Sequence, residues 1–225
     1  IEEKKNEPDL SGYFEMMQHS IHKLDDTLKE ILDYSRNARS NLIIEKVDFQ
    51  KMVEDSFERM QYMEGSDTIE KNISVRAGSI LYTDPYRLSV IVSNLVSNAI
   101  KYRDQHKERR TMMIEADVND ATLSFTFRDN GIGIRPDYLE RIFDMFFRAT
   151  DKSEGAGLGL YIVKETVEKL RGQINVESKN GEGTTFSIRI PNMKMTVEQP
   201  VASQQEVSKE ALVSNQSSVI HVPIR

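Results

Sequence analysis

The sequence predicts an α+β domain preceded by one long helix, and three observations lead to this prediction. Apolar residues recur every three or four positions from about Asp9 to Ser40, the heptad spacing of a helix that packs on other helices. A second apolar stripe at helical spacing follows Asp84-Pro85, a pair typical of a helix start. Pairs of alternating segments joined by short turns predict β-hairpins in the second half of the chain.

The first segment, residues 1–41, is predicted to carry the long helix. Its heptad positions are Leu10, Phe14, Met17, Ile21, Leu24, Leu28 and Ile31. A lone helix of this length cannot bury such a stripe by itself. Because no second heptad pattern occurs in the 225 residues, we expect the partner helix to lie upstream or in another subunit.

Residues 42–192 are predicted to form the compact domain. The expected elements, in order, are a strand at Ile43–Val47, a helix capped by Asp48, strands near Ile73–Val75 and Ile80–Tyr82, the helix from Asp84, a hairpin of Met112–Val118 with Ala121–Arg128, a glycine-containing stretch over Asn130–Gly159, a helix to Arg171, and a hairpin of Gln173–Ser178 with Thr184–Ile190. Residues 193–225 lack a clear period and are predicted to be a tail or linker, the alternative being a segment that docks on the domain.

Composition excludes several classes of protein. The net charge of -6 argues against a general nucleic-acid binder, and the absence of cysteine excludes disulfides, thiolate nucleophiles and zinc–thiolate sites. No apolar run approaches the roughly 20 residues of a membrane span. The first residue is Ile rather than Met, so we expect a piece of a longer protein. We expect a cytoplasmic location, and this includes the case that the piece is the cytoplasmic part of a membrane-bound sensor.

Polar residues on the helix after Asp84 are the first candidate site. Asn94, Asn98 and Lys101 stack on one face of that helix. Amide oxygens can bind Mg²⁺ that completes its octahedron with phosphate and water, and a lysine can neutralise phosphate as a point charge. The alternative is a solvated helix face.

Two glycine-rich segments are the second candidate. Asp129–Gly133 follows an alternating strand, so its carboxylate could accept a hydrogen bond from an exocyclic amine while the glycines let backbone approach a ligand. Gly155–Gly159 leads into a helix, whose free N–H groups suit phosphate. The alternatives are ordinary turns. Between them, Arg141–Arg148 carries three phenylalanines, either as a short amphipathic core helix or as apolar anchors of a lid with Arg148 reaching a phosphate.

In this order, and followed by Gly183-Thr184-Thr185-Phe186, these motifs resemble the catalytic ATP-binding domain of sensor histidine kinases. Those kinases share an ATPase superfamily with gyrase, the ninety-kilodalton heat-shock chaperones and mismatch-repair ATPases. The resemblance covers about Ile43 to Pro191, and the stretch from Ile21 to Arg36 resembles the second helix of the kinase dimerisation hairpin. It implies a two-layer α/β sandwich, a mixed sheet with helices on one face.

The resemblance also implies a role for each matching residue. Asp129 holds the adenine amine with support from Thr184, and Asn98 binds Mg²⁺ with Asn94 beside it. Lys101 and Tyr102 touch phosphate or ribose. The other implied contacts to ATP come from Gly131, Gly133, Ile134, Arg148, Gly155, Gly157, Leu158 and Gly159.

Transfer of a phosphoryl group is favoured over hydrolysis. In the hydrolysing relatives a glutamate stands at the place of Asn94, and an amide cannot take a proton from water. The acceptor in this family is a histidine, but His19, His22, His106 and His221 do not match the acceptor pattern. We therefore expect this chain alone not to phosphorylate itself.

The resemblance implies a protein-histidine kinase whose partners are a response-regulator receiver domain and a second copy, paired through the first helix and an upstream helix. The alternatives are a degenerate module that binds nucleotide or a partner without turnover, a related ATPase, and a protein-serine kinase of the same fold. For the basic segment Lys101–Arg110 we favour a solvated loop over a nucleic-acid patch.

Overall fold

The computed structural model describes residues 10–39, 41–149 and 156–193. The helices are α1 (Leu10–Arg39), α2 (Phe49–Arg59), α3 (Pro85–Lys101), α4 (Pro136–Leu139) and α5 (Gly159–Lys169). The strands are β1 (Glu45–Val47), β2 (Ile69–Ala77), β3 (Leu81–Thr83), β4 (Arg110–Val118), β5 (Thr122–Asp129), β6 (Gln173–Lys179) and β7 (Gly183–Pro191).

Five strands form a mixed sheet in the order β2-β4-β5-β7-β6, and β1 pairs with β3 in a separate two-stranded ribbon. Strand β2 runs parallel to β4, while the other neighbours are antiparallel. Parallel neighbours need a crossover connection, which α3 provides between these two strands. The last pairs of the β5–β7 ladder place Phe127 opposite Phe186 and Asp129 opposite Thr184.

The core lies between one face of this sheet and the helices α2, α3 and α5. Alternate residues of β4, β5 and β7 are buried, among them Ile114, Phe125 and Ile188, because side chains of a strand point to opposite faces in turn. The apolar stripe of α3 packs against them. The predicted two-layer sandwich is confirmed.

A buried ion pair fixes the start of α3. The Asp84 carboxylate caps the helix by accepting from the Arg87 backbone N–H at 3.0 Å, and it pairs with the Arg87 guanidinium, which is almost fully buried. The same carboxylate accepts from the Ile43 N–H at 3.0 Å, and Arg87 donates to the Asn41 carbonyl at 3.3 Å. The segment that follows α1 is thereby tied to the first turn of α3.

Both predicted hairpins are confirmed, since β4 pairs with β5 and β6 with β7. Two expectations differ. The sequence pattern singled out no helix at Pro136, yet α4 forms there, with Pro136 at the first helical position. The short helix considered for Arg141–Arg148 does not form; this segment makes turns, and Phe146 has a φ of 64°.

From Phe14 to Ile31 the predicted heptad stripe of α1 is exposed on the single chain, with exposed fractions from 46% at Ile31 to 66% at Phe14. Helix α1 contacts α5. Such a stripe gains most from a further helix that covers it. In the described part of the chain, no helix combines the length and apolar character needed to cross a bilayer. The predicted boundaries of residues 1–41, 42–192 and 193–225 stay predictions, and residues 194–225 lie outside the described residues.

Candidate functional site

A cavity opens at one end of the domain, between α3, the ends of β5 and β7, and the loops that follow β5. Its lining is mostly apolar, with a few polar groups that converge, as is typical of small-molecule sites. The lining includes Leu95, Asn98, Ala99, Tyr102, Asp129, Ile132, Gly133, Ile134, Arg135, Tyr138, Ile142, Phe147, Arg148, Ala149, Gly157, Leu160, Asn180, Thr184 and Phe186.

Asp129 lies in this cavity, at the end of β5. Burial raises the pKa of its carboxyl group, and the backbone N–H groups of Gly131 and Thr184 and the charge of Lys107 offset part of that rise. The Gly131 N–H donates to Oδ1 at 2.8 Å. A carboxylate removed from water in this way gains from a ligand that donates a hydrogen bond to it.

Close backbone approaches explain the glycines after Asp129. A Cβ on Gly131 would lie 2.4 Å from the Tyr102 carbonyl oxygen, and the N–H of Ile132 donates to that same oxygen at 3.0 Å. Gly133 has a φ of 66°, and a Cβ there would lie 2.1 Å from the Lys179 carbonyl oxygen. The loop after β5 is thus held between the end of α3 and the β6–β7 turn.

Ser178 joins the same elements, and sequence reasoning missed it. Its hydroxyl accepts from the Ile134 N–H at 2.8 Å, donates to the Gly183 carbonyl at 2.8 Å, and lies 2.9 Å from the Thr184 hydroxyl. A serine on a strand has no local signal for such a role, because these partners come together only when β6 pairs with β7.

The cavity continues into a more polar part along α3, lined by Asn94, Ser97, Asn98, Lys101, Tyr102, Ile142, Phe147, Gly157, Gly159 and Leu160. Six of these residues also line the first part, so the two form one continuous site. The described residues of this polar part supply amide oxygens and one ammonium group to its lining, but no carboxylate or imidazole. Among the described residues, no group of three or more acidic, His or Cys side chains could hold a metal ion.

The N-terminus of α5 faces α3 at close range. The Asn94 amide donates to the Val90 carbonyl at 2.9 Å, and its Oδ1 would lie 2.8 Å from a Cβ on Gly159. Among the described residues, the N-cap Leu158 makes no side-chain cap at the start of α5, which suits its first N–H groups to an anion. The sequence placed Leu158 at the ligand, but its side chain is buried with Val90 and Ile162, which leaves only its backbone for that purpose.

Aromatic and cationic side chains cover the cavity opposite α3. Phe147 meets the ring of Tyr138 edge-on at 5.6 Å, and the Arg141 guanidinium lies 4.6 Å from the Phe147 ring centre. Arg135 stacks on Tyr138 at 5.0 Å. The sequence singled out the segment of Phe147, whereas Arg135 and Tyr138 carried no motif.

The structure brings most of the predicted site residues together. Those that line the continuous cavity are Asn94, Asn98, Lys101, Tyr102, Asp129, Gly133, Ile134, Arg148, Gly157, Gly159 and Thr184. Gly131 stands directly behind Asp129. Gly155 lies outside the described residues. The ligand roles of these residues stay predictions.

Residues 83–194 match the family model of histidine kinase-, DNA gyrase B-, and HSP90-like ATPases. This stretch contains α3, the β4–β5 and β6–β7 hairpins, and the continuous cavity. The chain belongs to this ATPase family.

Several curated proteins similar to this chain are named sensor kinases. The chain is 31% identical, over 98% of its length, to the autoinducer 2 sensor kinase/phosphatase LuxQ of Vibrio parahaemolyticus, and it spans 26% of that protein. It is 28% identical, over 78% of its length, to the sensor histidine kinase AtsR of Burkholderia thailandensis, and spans 30% of it. The chain thus covers less than a third of these relatives.

Solved structures of histidine kinases are also similar. Full-length ShkA in complex with AMPPNP gives a TM-score of 0.66 at 26% identity, covering 84% of this chain and 40% of that one. The mycobacterial sensor histidine kinase MprB gives 0.56 at 26% identity, covering 66% of this chain and 97% of that one. The resemblance to sensor histidine kinases predicted from the motifs is confirmed.

The raised pKa of Asp129 makes stability depend on pH. At pH values between the ordinary carboxyl pKa of about 4 and the raised one, the folded protein holds a proton on Asp129 that the unfolded chain has released. This tighter proton binding stabilises the folded state at low pH, and the stabilisation is lost as the pH rises. Asp129→Asn abolishes it. We expect the free energy of unfolding of the native chain, minus that of Asp129→Asn, to increase as the pH falls through the raised pKa. Urea unfolding at a series of pH values measures this, and a difference independent of pH contradicts it.

Proposed function

We propose that this chain binds ATP with Mg²⁺ and transfers the γ-phosphoryl group to a histidine carried outside these 225 residues. The phosphoryl group then passes to an aspartate of a response-regulator receiver domain. The observation that supports this most strongly is the single cavity with a buried carboxylate at one end and amide oxygens facing a helix N-terminus at the other. These ends match the base and the phosphates of ATP.

The base is expected in the apolar part of the cavity. The Asp129 carboxylate would accept from the exocyclic amine of adenine, and Thr184 lies directly opposite it in the ladder. Leu95, Ile134 and Phe186 offer apolar surface to a planar ring. The AMPPNP bound to ShkA supports a nucleotide with an adenine base.

The polar part suits Mg²⁺ and the triphosphate. Mg²⁺ keeps several waters and takes one or two protein oxygens beside phosphate, so a neutral amide such as Asn98, with Asn94 next to it, fits the ion. Bound Mg²⁺ would neutralise charge on the transferring group. Lys101, Arg148 and the N-terminus of α5 would hold the remaining phosphate oxygens.

Transfer rather than hydrolysis follows from what the polar part lacks. Among the described residues, its lining contains no carboxylate and no imidazole that could take a proton from water. A histidine of another segment can attack directly, because a neutral imidazole is a nucleophile near neutral pH. The site's task is then positioning and charge neutralisation.

Helix α1 would bring the acceptor to this site. Its exposed apolar stripe fits a bundle with a second copy and with a helix outside this sequence. The names of AtsR, a sensor histidine kinase, and of LuxQ, a sensor kinase/phosphatase, support the kinase role itself. Because ATP is a cytoplasmic metabolite, we place the site on the cytoplasmic side.

Titration calorimetry with a non-hydrolysable ATP analogue tests the site. The native chain should bind saturably, and more weakly without Mg²⁺. Asp129→Ala should weaken binding by about 10-fold to 100-fold, since a hydrogen bond to a charged group contributes about 1.5–3 kcal/mol. Asp117→Ala, on the outward face of β4, is the control and should stay within about twofold. Absence of binding by the native chain contradicts the proposed site.

A transfer assay tests the reaction. With γ-labelled ATP and a histidine-bearing dimerisation helix from a related kinase added in trans, we expect label on the helix histidine, and none with Asn98→Ala. Release of labelled phosphate without labelled protein would identify an ATPase. Nucleotide binding with neither product would identify a binding module and contradict the kinase proposal.

A further inference from the structure

The basic segment between α3 and β4 is braced from within. Arg103 has a side chain only 13% exposed and donates to the Ile100 carbonyl at 3.0 Å, while it also pairs with Glu64. Arg110 donates to the carbonyls of Asp104 and Gln105 at 3.0 and 2.7 Å. The prediction of a solvated loop is therefore wrong for Arg103, whose side chain is mostly buried, while Arg110 stabilises the backbone of the loop from a partly exposed position.

Lys107, at the tip of this braced loop, contacts two other loops. Its ammonium group donates to the Asn130 carbonyl at 2.7 Å and approaches that of Gly131 at 3.4 Å. On the β6–β7 turn it donates to the Gly181 carbonyl at 2.9 Å and approaches that of Glu182 at 3.3 Å. All four of these acceptors are backbone oxygens. The Glu182 carboxylate is engaged with Lys179 instead.

Converging carbonyl oxygens favour a cation, because their dipoles repel one another. The contacts to Asn130 and Gly131 are partly buried, where a carbonyl without a donor destabilises the fold, while those to Gly181 and Glu182 are exposed. An ammonium group is a compact charge with three donors, so it can donate to the two nearest oxygens while its charge attracts the other two. Lys107 does here what a bound monovalent cation would do, and it keeps the β6–β7 turn against the loop after β5.

Both loops border Asp129. Asn130 and Gly131 follow it directly, and the Gly131 N–H donates to its carboxylate. On the other side, a Cβ on Gly183 would lie 2.1 Å from the Asp129 carbonyl oxygen, so the backbone at the end of the β6–β7 turn packs closely against the same residue. A change in either loop therefore moves the carboxylate or its donors.

We propose that Lys107 is a positioning residue for the nucleotide base, acting as a built-in cation that holds these two loops around Asp129. The proposal rests on the proposed function. Lys107 is not among the residues that line either part of the cavity. It therefore acts through Asp129 and not by touching the phosphates, and its loss should affect adenosine and ATP alike.

The test compares the native chain with Lys107→Ala and Lys107→Met in sodium buffer, each titrated with adenosine and with a non-hydrolysable ATP analogue. We expect both variants to bind both ligands about tenfold more weakly, the factor that corresponds to the loss of one charged hydrogen bond. Added ammonium ions should restore binding in Lys107→Ala, because the shorter side chain leaves space for the ion between the two loops. They should not restore it in Lys107→Met, because the methionine side chain fills that space. Lys46→Ala, on the exposed face of β1, is the control.

Three results would overturn the proposal: native affinity in both variants, a loss confined to the ATP analogue, and an equal loss that ammonium does not restore in Lys107→Ala. If Lys107→Ala does not fold, Lys107→Gln takes its place. Its loss of affinity for adenosine is then compared with its loss for the ATP analogue: equal losses support the proposal, and a loss confined to the analogue overturns it. Failure of the native chain to bind ATP defeats the proposed function, whereas variants equal to a native chain that binds defeat only the role of Lys107.

Discussion

The buried carboxylate of Asp129 is the group on which the arrangement of the site depends. Burial works against its charge, and N–H groups from Gly131 and Thr184 compensate only in part. The loop after β5 and the β6–β7 turn must therefore keep close to it. The free-energy cost of removing this carboxylate from water is thus part of folding and not of ligand binding. A ligand with a matching donor then completes its hydrogen bonds.

Regular elements set the other end of the site. The pair of Asp84 and Arg87 fixes the first turn of α3, and the apolar stripe of the helix fixes its rotation on the sheet. Asn94 and Asn98 then line the polar part of the cavity, and Asn94 lies against Gly159 at the start of α5. The base end thus depends on loops tied by hydrogen bonds, and the phosphate end on two packed helices.

Sequence reasoning reached those parts that have local or periodic signals. Alternation predicted both hairpins, and the capping pair Asp84-Pro85 predicted α3 together with the face that carries Asn98. It did not reach Ser178 or Lys107, whose partners are distant in sequence and meet only through sheet pairing. The sequence could not show that the Leu158 side chain packs in the core, so that its predicted contact to the ligand would come from its backbone. The basic composition of the loop after α3 predicted a solvated segment, because composition carries no information on which cations donate to backbone carbonyls.

A crystal structure of this chain with a non-hydrolysable ATP analogue and Mg²⁺ tests the account most directly. The account predicts the exocyclic amine of adenine within hydrogen-bond distance of the Asp129 carboxylate, and Mg²⁺ between the phosphates and the Asn98 side-chain oxygen. It also predicts phosphate oxygens at the first N–H groups of α5. A nucleotide bound elsewhere, or one in this cavity with its base away from Asp129, would contradict it.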